Sequence, residues 1–203
     1  PSQVYVKTHK PWLFDKAWYL ERGIKIIDWT EPNRGAVMTI GVFYTMAQPW
    51  NRAEHKYDWR QIPLGKIAAD RMGVEYKEQR PQLAPEFLTK SQKAPRKPSV
   101  VIATQSTAQA KYWNNPTGWQ ETIDWCNVNN IDVYHASKEG TDLTGIKQLP
   151  EELALVASAI NDATMFIGIS SGLSWFAWAL GAKVVIISGF TDPYVEFEDA
   201  IYL

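Results

Sequence analysis

Between Met165 and Phe190 the chain carries a single charge, Lys183, and an apolar run of that length is long enough to span a bilayer. Its punctuation argues against a span. Ser170-Ser171-Gly172 and Gly181-Ala182-Lys183 divide it into a β-branched piece, a Trp-rich piece and a second β-branched piece, Val184-Val185-Ile186-Ile187. Buried strand, helix and strand read this way, and no membrane span is expected.

The same alternation extends upstream. Residues 99–104 read as a strand. Residues 119–129 read as a helix with Trp119, Ile123 and Cys126 on one face, Thr117 and Gln120 as a capping box, and Asn129-Asn130 at its end. A strand at 131–134 follows. Pro150 is expected to open a helix in which Leu153, Val156, Ala157 and Ile160 fall at i, i+3, i+4 and i+7. Strands at 165–169 and 183–187 flank a helix at 173–180. Continuous apolar strands between helices indicate a parallel sheet covered on both faces, a doubly wound α/β domain. The N-terminal half is less regular, with strands expected at 4–6, 24–28 and 37–44 and helices at 15–22 and 64–72. Leu64, Ile67, Ala68 and Met72 line one face of the second helix. Pro81, Pro85, Pro95 and Pro98, set among Lys, Arg and Gln, suit a linker. The division expected is 1–95, a partial α/β domain with linker, and 96–203, a Rossmann-like domain.

Composition narrows the function. A chain of 203 residues with 45% hydrophobic content can bury a core. Its net charge of −1 gives no cationic surplus for a phosphate backbone, so nucleic acid is not the expected partner. One cysteine, Cys126, permits no internal disulfide and reads as a small core residue, in keeping with a reducing, cytoplasmic setting. The chain starts at Pro1, without the charged and apolar regions of a signal peptide, and reads as an internal piece of something longer. Of its ten tryptophans, Trp119, Trp125 and Trp178 lie in expected helices and are assigned to core, whereas Trp113, beside Lys111, is assigned to ligand contact.

Ligands of open parallel sheets bind at the carboxyl ends of strands, so the loops after strands hold the candidate site. Ser170-Ser171-Gly172 stands at a strand-to-helix turn, where backbone N–H groups and the helix dipole suit a phosphate; a plain N-cap serine reads the same way. Lys111 follows the polar run Gln105-Ser106-Thr107 and could bring a cation to that crevice, or be a solvated lysine. Gly168-Ile169-Ser170-Ser171-Gly172 also matches the G-x-S-x-G elbow of hydrolases. That family places its histidine after the serine, and His9, His55 and His135 all precede Ser170. The histidines share no metal-ligand spacing with each other or with Cys126, so no metal site is expected.

Residues 103–119, Ala-Thr-Gln-Ser-Thr-Ala-Gln-Ala-Lys-Tyr-Trp-Asn-Asn-Pro-Thr-Gly-Trp, and 166–179, Phe-Ile-Gly-Ile-Ser-Ser-Gly-Leu-Ser-Trp-Phe-Ala-Trp-Ala, resemble blocks of the autotransporter O-heptosyltransferases, within the family-9 ADP-heptose glycosyltransferases. Asp142-Leu143-Thr144-Gly145 and Ile187-Ser188-Gly189-Phe190-Thr191 resemble further blocks, so the likeness covers about residues 57 to 198. It implies a bacterial enzyme of GT-B fold that moves a heptose-like sugar from a nucleoside-diphosphate donor to a protein or glycan hydroxyl, with inversion. By the same comparison Lys111 would hold the donor diphosphate and act in catalysis, and Ser170, Ser171 and Gly172 would lie against the donor. Gln105, Ser106, Thr107, Leu173 and Thr191, from the same blocks, would complete donor binding. Lipopolysaccharide heptosyltransferases have Asp and His where this chain has Ser170 and Trp175, which favours the protein-modifying branch.

No Asp-x-Asp stands on a strand-end loop, so a metal-independent reaction with no required cofactor is expected. The base-bearing Gly-Asp segment and the cysteine-rich tail of the family have no match here. Asp15 and Asp58 are base candidates by acidity alone, and the chain is expected to bind donor but transfer poorly. Two rival readings are a nucleotide-sugar-binding module without turnover and a GT-B-type sugar-nucleotide epimerase.

Overall fold

A computed structural model describes residues 4–32, 63–90, 97–189 and 196–203. The strands are β1 (Val4–Thr8), β2 (Ile24–Asp28), β3 (Ser99–Ala103), β4 (Asp132–His135), β5 (Lys147–Gln148), β6 (Met165–Ile169), β7 (Val184–Ile187) and β8 (Ile201–Tyr202). The helices are α1 (Lys16–Glu21), α2 (Leu64–Met72), α3 (Gly118–Val128), α4 (Leu153–Asp162) and α5 (Gly172–Ala179). Among the described residues β1 and β2 pair in parallel as a two-stranded sheet. The other six form one parallel sheet in the order β5-β4-β3-β6-β7-β8. Counted from β3 this is 3-2-1-4-5-6, the order of dinucleotide-binding doubly wound folds, and it reverses between β3 and β6.

The two-residue period of β3 divides the core. Val100 and Ile102 pack with Val133 and with Ile123 and Cys126 of α3 on one face. Val101 and Ala103 pack with Val156, Ala157 and Ile160 of α4 and with Phe176 and Ala177 of α5 on the other. The apolar run from Met165 therefore folds as β6, α5 and β7. No helix among the described residues is long and apolar enough to cross a membrane.

Three expectations are corrected. The Thr117–Gln120 capping box does not form, because Thr117 sits in the helical region (φ −111°, ψ −12°). Asn115 Oδ1 instead accepts from the N–H groups of Thr117 and Gly118, at 3.1 Å each. Trp125 is 62% exposed: Ile123 and Cys126 set the buried face, and a residue two places after Ile123 turns away from it. Pro150 does not open α4, which begins at Leu153. The Leu149 N–H donates to His135 O, so the chain stays in the sheet's direction until it clears the edge.

Where it is described, the Pro-rich stretch packs against the large sheet domain. Leu83, Ala84 and Phe87 are buried in the larger core, and Phe87 meets Phe176 edge-on at 5.7 Å. Asn161 Nδ2 donates to Phe87 O at 2.7 Å, while Arg80 pairs with Asp199 and lies over Trp178. The apolar residues between the prolines carry this packing. The expected strand at 37–44 and the boundary near residue 95 lie outside the described residues.

Candidate functional site

β3 and β6 lie side by side with Ala103 opposite Gly168, so their following loops leave the same sheet edge on the two sides of the reversal. After β3 come buried Thr104, half-buried Gln105 and Ser106, and exposed Thr107. A 3₁₀ turn, Gln109–Lys111, then carries half-buried Lys111. After β6, half-buried Ser170 and Ser171 lead to exposed Gly172, the first residue of α5. Half-buried Leu173 packs on the larger core. Thr191 and Asp58 lie outside the described residues.

The approach of these elements is close. A Cβ on Gly168 would stand 2.8 Å from the Phe166 ring, 3.1 Å from Ser174 Oγ and 3.3 Å from Ala103 O, so only a hydrogen fits. Ser174, fully buried, donates to Ile169 O at 2.6 Å and ties the first turn of α5 to the end of β6. Ser171 is an extended N-cap whose side chain makes no capping bond, and its Oγ is buried without a hydrogen-bond partner. The start of α5 thus keeps the positive end of its dipole and offers N–H groups to an anion.

A row of polar residues at the strand ends was not singled out from sequence. His135 is fully buried; its Nε2 lies 3.0 Å from Thr104 Oγ1 and its Nδ1 2.8 Å from Gln148 Oε1. Burial holds its pKa below the ordinary imidazole value, outweighing the bond to Gln148. Ser137 Oγ donates to Gln105 Oε1. The usable signal was a polar residue at the carboxyl end of each of three neighbouring strands. Trp113 lies over Gly118, where a Cβ would meet its ring at 2.4 Å, and meets Trp119 edge-on at 5.4 Å. It anchors the loop's far end on α3.

Ser170 gains no hydrolase partner from the described histidines: both His135 ring nitrogens are engaged, and His9 packs on Trp29. Asp15 caps α1, its Oδ1 accepting from the N–H groups of Ala17 and Trp18, and that role accounts for the carboxylate. Cys126 is buried, which raises its thiol pKa.

The six-stranded parallel sheet with reversed strand order is an α/β domain of the doubly wound, GT-B-like type. No protein-family model matches the chain. It is 40% identical over 158 residues to the autotransporter heptosyltransferase BAHTCr of Citrobacter rodentium and 39% identical over 158 residues to TibC of Escherichia coli O78:H11. Each match covers 69% of this chain and 36% of the relative. An inactive autotransporter heptosyltransferase, BimC of Burkholderia thailandensis, is 30% identical over 143 residues, covering 66% of this chain and 33% of BimC.

The crystal structure of TibC from enterotoxigenic E. coli, an iron-containing dodecamer, superposes with a TM-score of 0.81 at 27% identity. It covers 99% of this chain and 54% of TibC. TibC in complex with ADP-D-beta-D-heptose gives 0.77 at the same identity and coverage. Over the residues it matches, the chain belongs with the autotransporter heptosyltransferases, and it spans about a third of the length of these curated relatives. Among the described residues no three His, Cys, Asp or Glu side chains gather to hold a metal, so they do not fit the iron named for TibC.

Proposed function

We propose that this chain supplies the donor-binding half of a heptosyltransferase that takes ADP-heptose as donor and a protein or glycan hydroxyl as acceptor. The observation that carries the reading is a coincidence: the strand reversal, where nucleotides bind, falls between the loops at 104–117 and 170–172, in a chain 40% identical to an autotransporter heptosyltransferase. Lys111 and the α5 start would hold the diphosphate. As the glycosidic bond to the leaving phosphate breaks, negative charge grows there, and a nearby cation with aligned N–H groups lowers the barrier. Ser170, Ser171, Gly172 and the backbone N–H of Leu173 would face the donor at the helix start, with Gln105, Ser106 and Thr107 on the neighbouring loop and Thr191, which follows β7 in sequence, completing the set. Attack by the acceptor hydroxyl from the opposite side would invert the anomeric centre. The lack of an Asp-x-Asp sequence supports charge neutralisation by Lys111 and backbone groups at the diphosphate. A cytoplasmic setting agrees with the single, buried cysteine.

The binding-module reading has one observation in its favour, the inactive relative BimC. Incubation of this chain, joined to the acceptor-side half it would serve, with ADP-heptose and an autotransporter passenger protein separates the readings. Transfer gives ADP and an acceptor heavier by one heptose; a binder gives neither, and an epimerase gives an altered sugar without acceptor.

A further inference from the structure

We infer that His135 is a positioning residue for the donor-binding loop, acting through Thr104; this rests on the donor-site reading above. Gln148, His135 and Thr104 stand at the carboxyl ends of β5, β4 and β3. His135 pairs in register with Gln148 on one side and Ile102 on the other, and Thr104 falls two residues past Ile102, on the same face. The row therefore runs from the sheet edge to the strand reversal.

The protons in this row are fixed by its partners. Gln148 Nε2 donates to Ser137 O at 2.9 Å and to Leu149 O at 3.3 Å, so the amide oxygen is the atom that meets His135. His135 Nδ1 must then carry the hydrogen, and the neutral ring favoured by burial leaves a lone pair on Nε2. Thr104 donates its hydroxyl hydrogen to that lone pair. The next residue, Gln105, is held as well, accepting from Ser137 Oγ and donating through Nε2 to Gly140 O at 3.5 Å. The first two residues of the donor loop are thus set from β4 and the loop that follows it. Within this row Thr104 and His135 are buried, so breaking the bond between them leaves a buried polar group unsatisfied and releases the start of the loop.

The test is calorimetric titration of the whole chain with ADP, run well below the Tm of each variant so that lost stability is not read as lost affinity. Thr104→Val removes the donor at nearly constant volume, and His135→Asn keeps an N–H for Gln148 but offers nothing to Thr104. Each should weaken ADP binding by about tenfold, the worth of one hydrogen bond. The double variant should be no weaker than either single one. Thr104→Ser, and His135→Gln, whose amide oxygen reaches the Nε2 position, should stay near wild type. Wild-type ADP binding with unchanged affinity in Thr104→Val overturns the inference, as do additive losses in the double variant. If His135→Asn does not fold, Thr104→Val against Thr104→Ser decides. A wild-type chain that does not bind ADP overturns the donor-site reading and this inference with it.

Discussion

His135 sits between a hydroxyl and an amide with no counter-charge among its bonded partners, and burial lowers its pKa. The unfolded chain therefore takes up this proton at a higher pH than the folded chain. Below the ordinary value of 6.5 the unfolded state binds more protons, so stability falls as pH falls through and below that value. Urea midpoints taken at about pH 7.5 and 5.5 should drop more for wild type than for His135→Gln; an equal drop would assign the effect elsewhere. Cys126 gives a second outcome at this scale. Buried, with a raised thiol pKa, it should resist alkylation by iodoacetamide in the native chain and react once unfolded. The bland reading of Cys126 was available from its apolar neighbours. The role of His135 was not, because its partners lie 31 and 13 residues away in sequence and no local spacing joins them.

In α3 the buried face and the solvent face can be separated by mutation. Ile123→Ala removes a fully buried side chain between β3 and the helix and should cost about 2–5 kcal/mol. Trp125→Ala, on the exposed side, should change stability by less than about 0.5 kcal/mol. Chemical denaturation of the two variants checks both values. Long elements were legible because periodicity accumulates over a turn or more: α2 occupies 64–72 and β6 165–169, as their patterns require. Two-residue strands such as β5 and β8 carry no period of their own and form only because β4 and β7 offer an edge. The α3 cap was misread for a related reason. Ser, Thr and Asn all cap helices, and backbone geometry, which composition does not reveal, decided for Asn115.

Across the whole molecule, the segment from Arg80 to Phe87 joins the N-terminal elements to the large sheet. Phe14 bridges to Leu83, Trp12 meets Phe87 at 5.9 Å, and Phe87 fills the core beside Phe176. Phe87→Ala should therefore destabilise the sheet domain by about 3–5 kcal/mol, read as a lower urea midpoint. The strand-end location of the candidate site followed from fold class alone, since a parallel sheet leaves little choice. The order of the strands, which selects the β3–β6 crevice, is a long-range property that strand patterns do not contain. The central claim is that this crevice binds a nucleoside diphosphate between Lys111 and the start of α5. Calorimetric titration of ADP into the wild-type and Lys111→Ala chains tests it most directly. The account predicts saturable binding weakened in the variant by about 1–3 kcal/mol, the loss of one charge-assisted contact; an ADP affinity that Lys111→Ala leaves unchanged would contradict it.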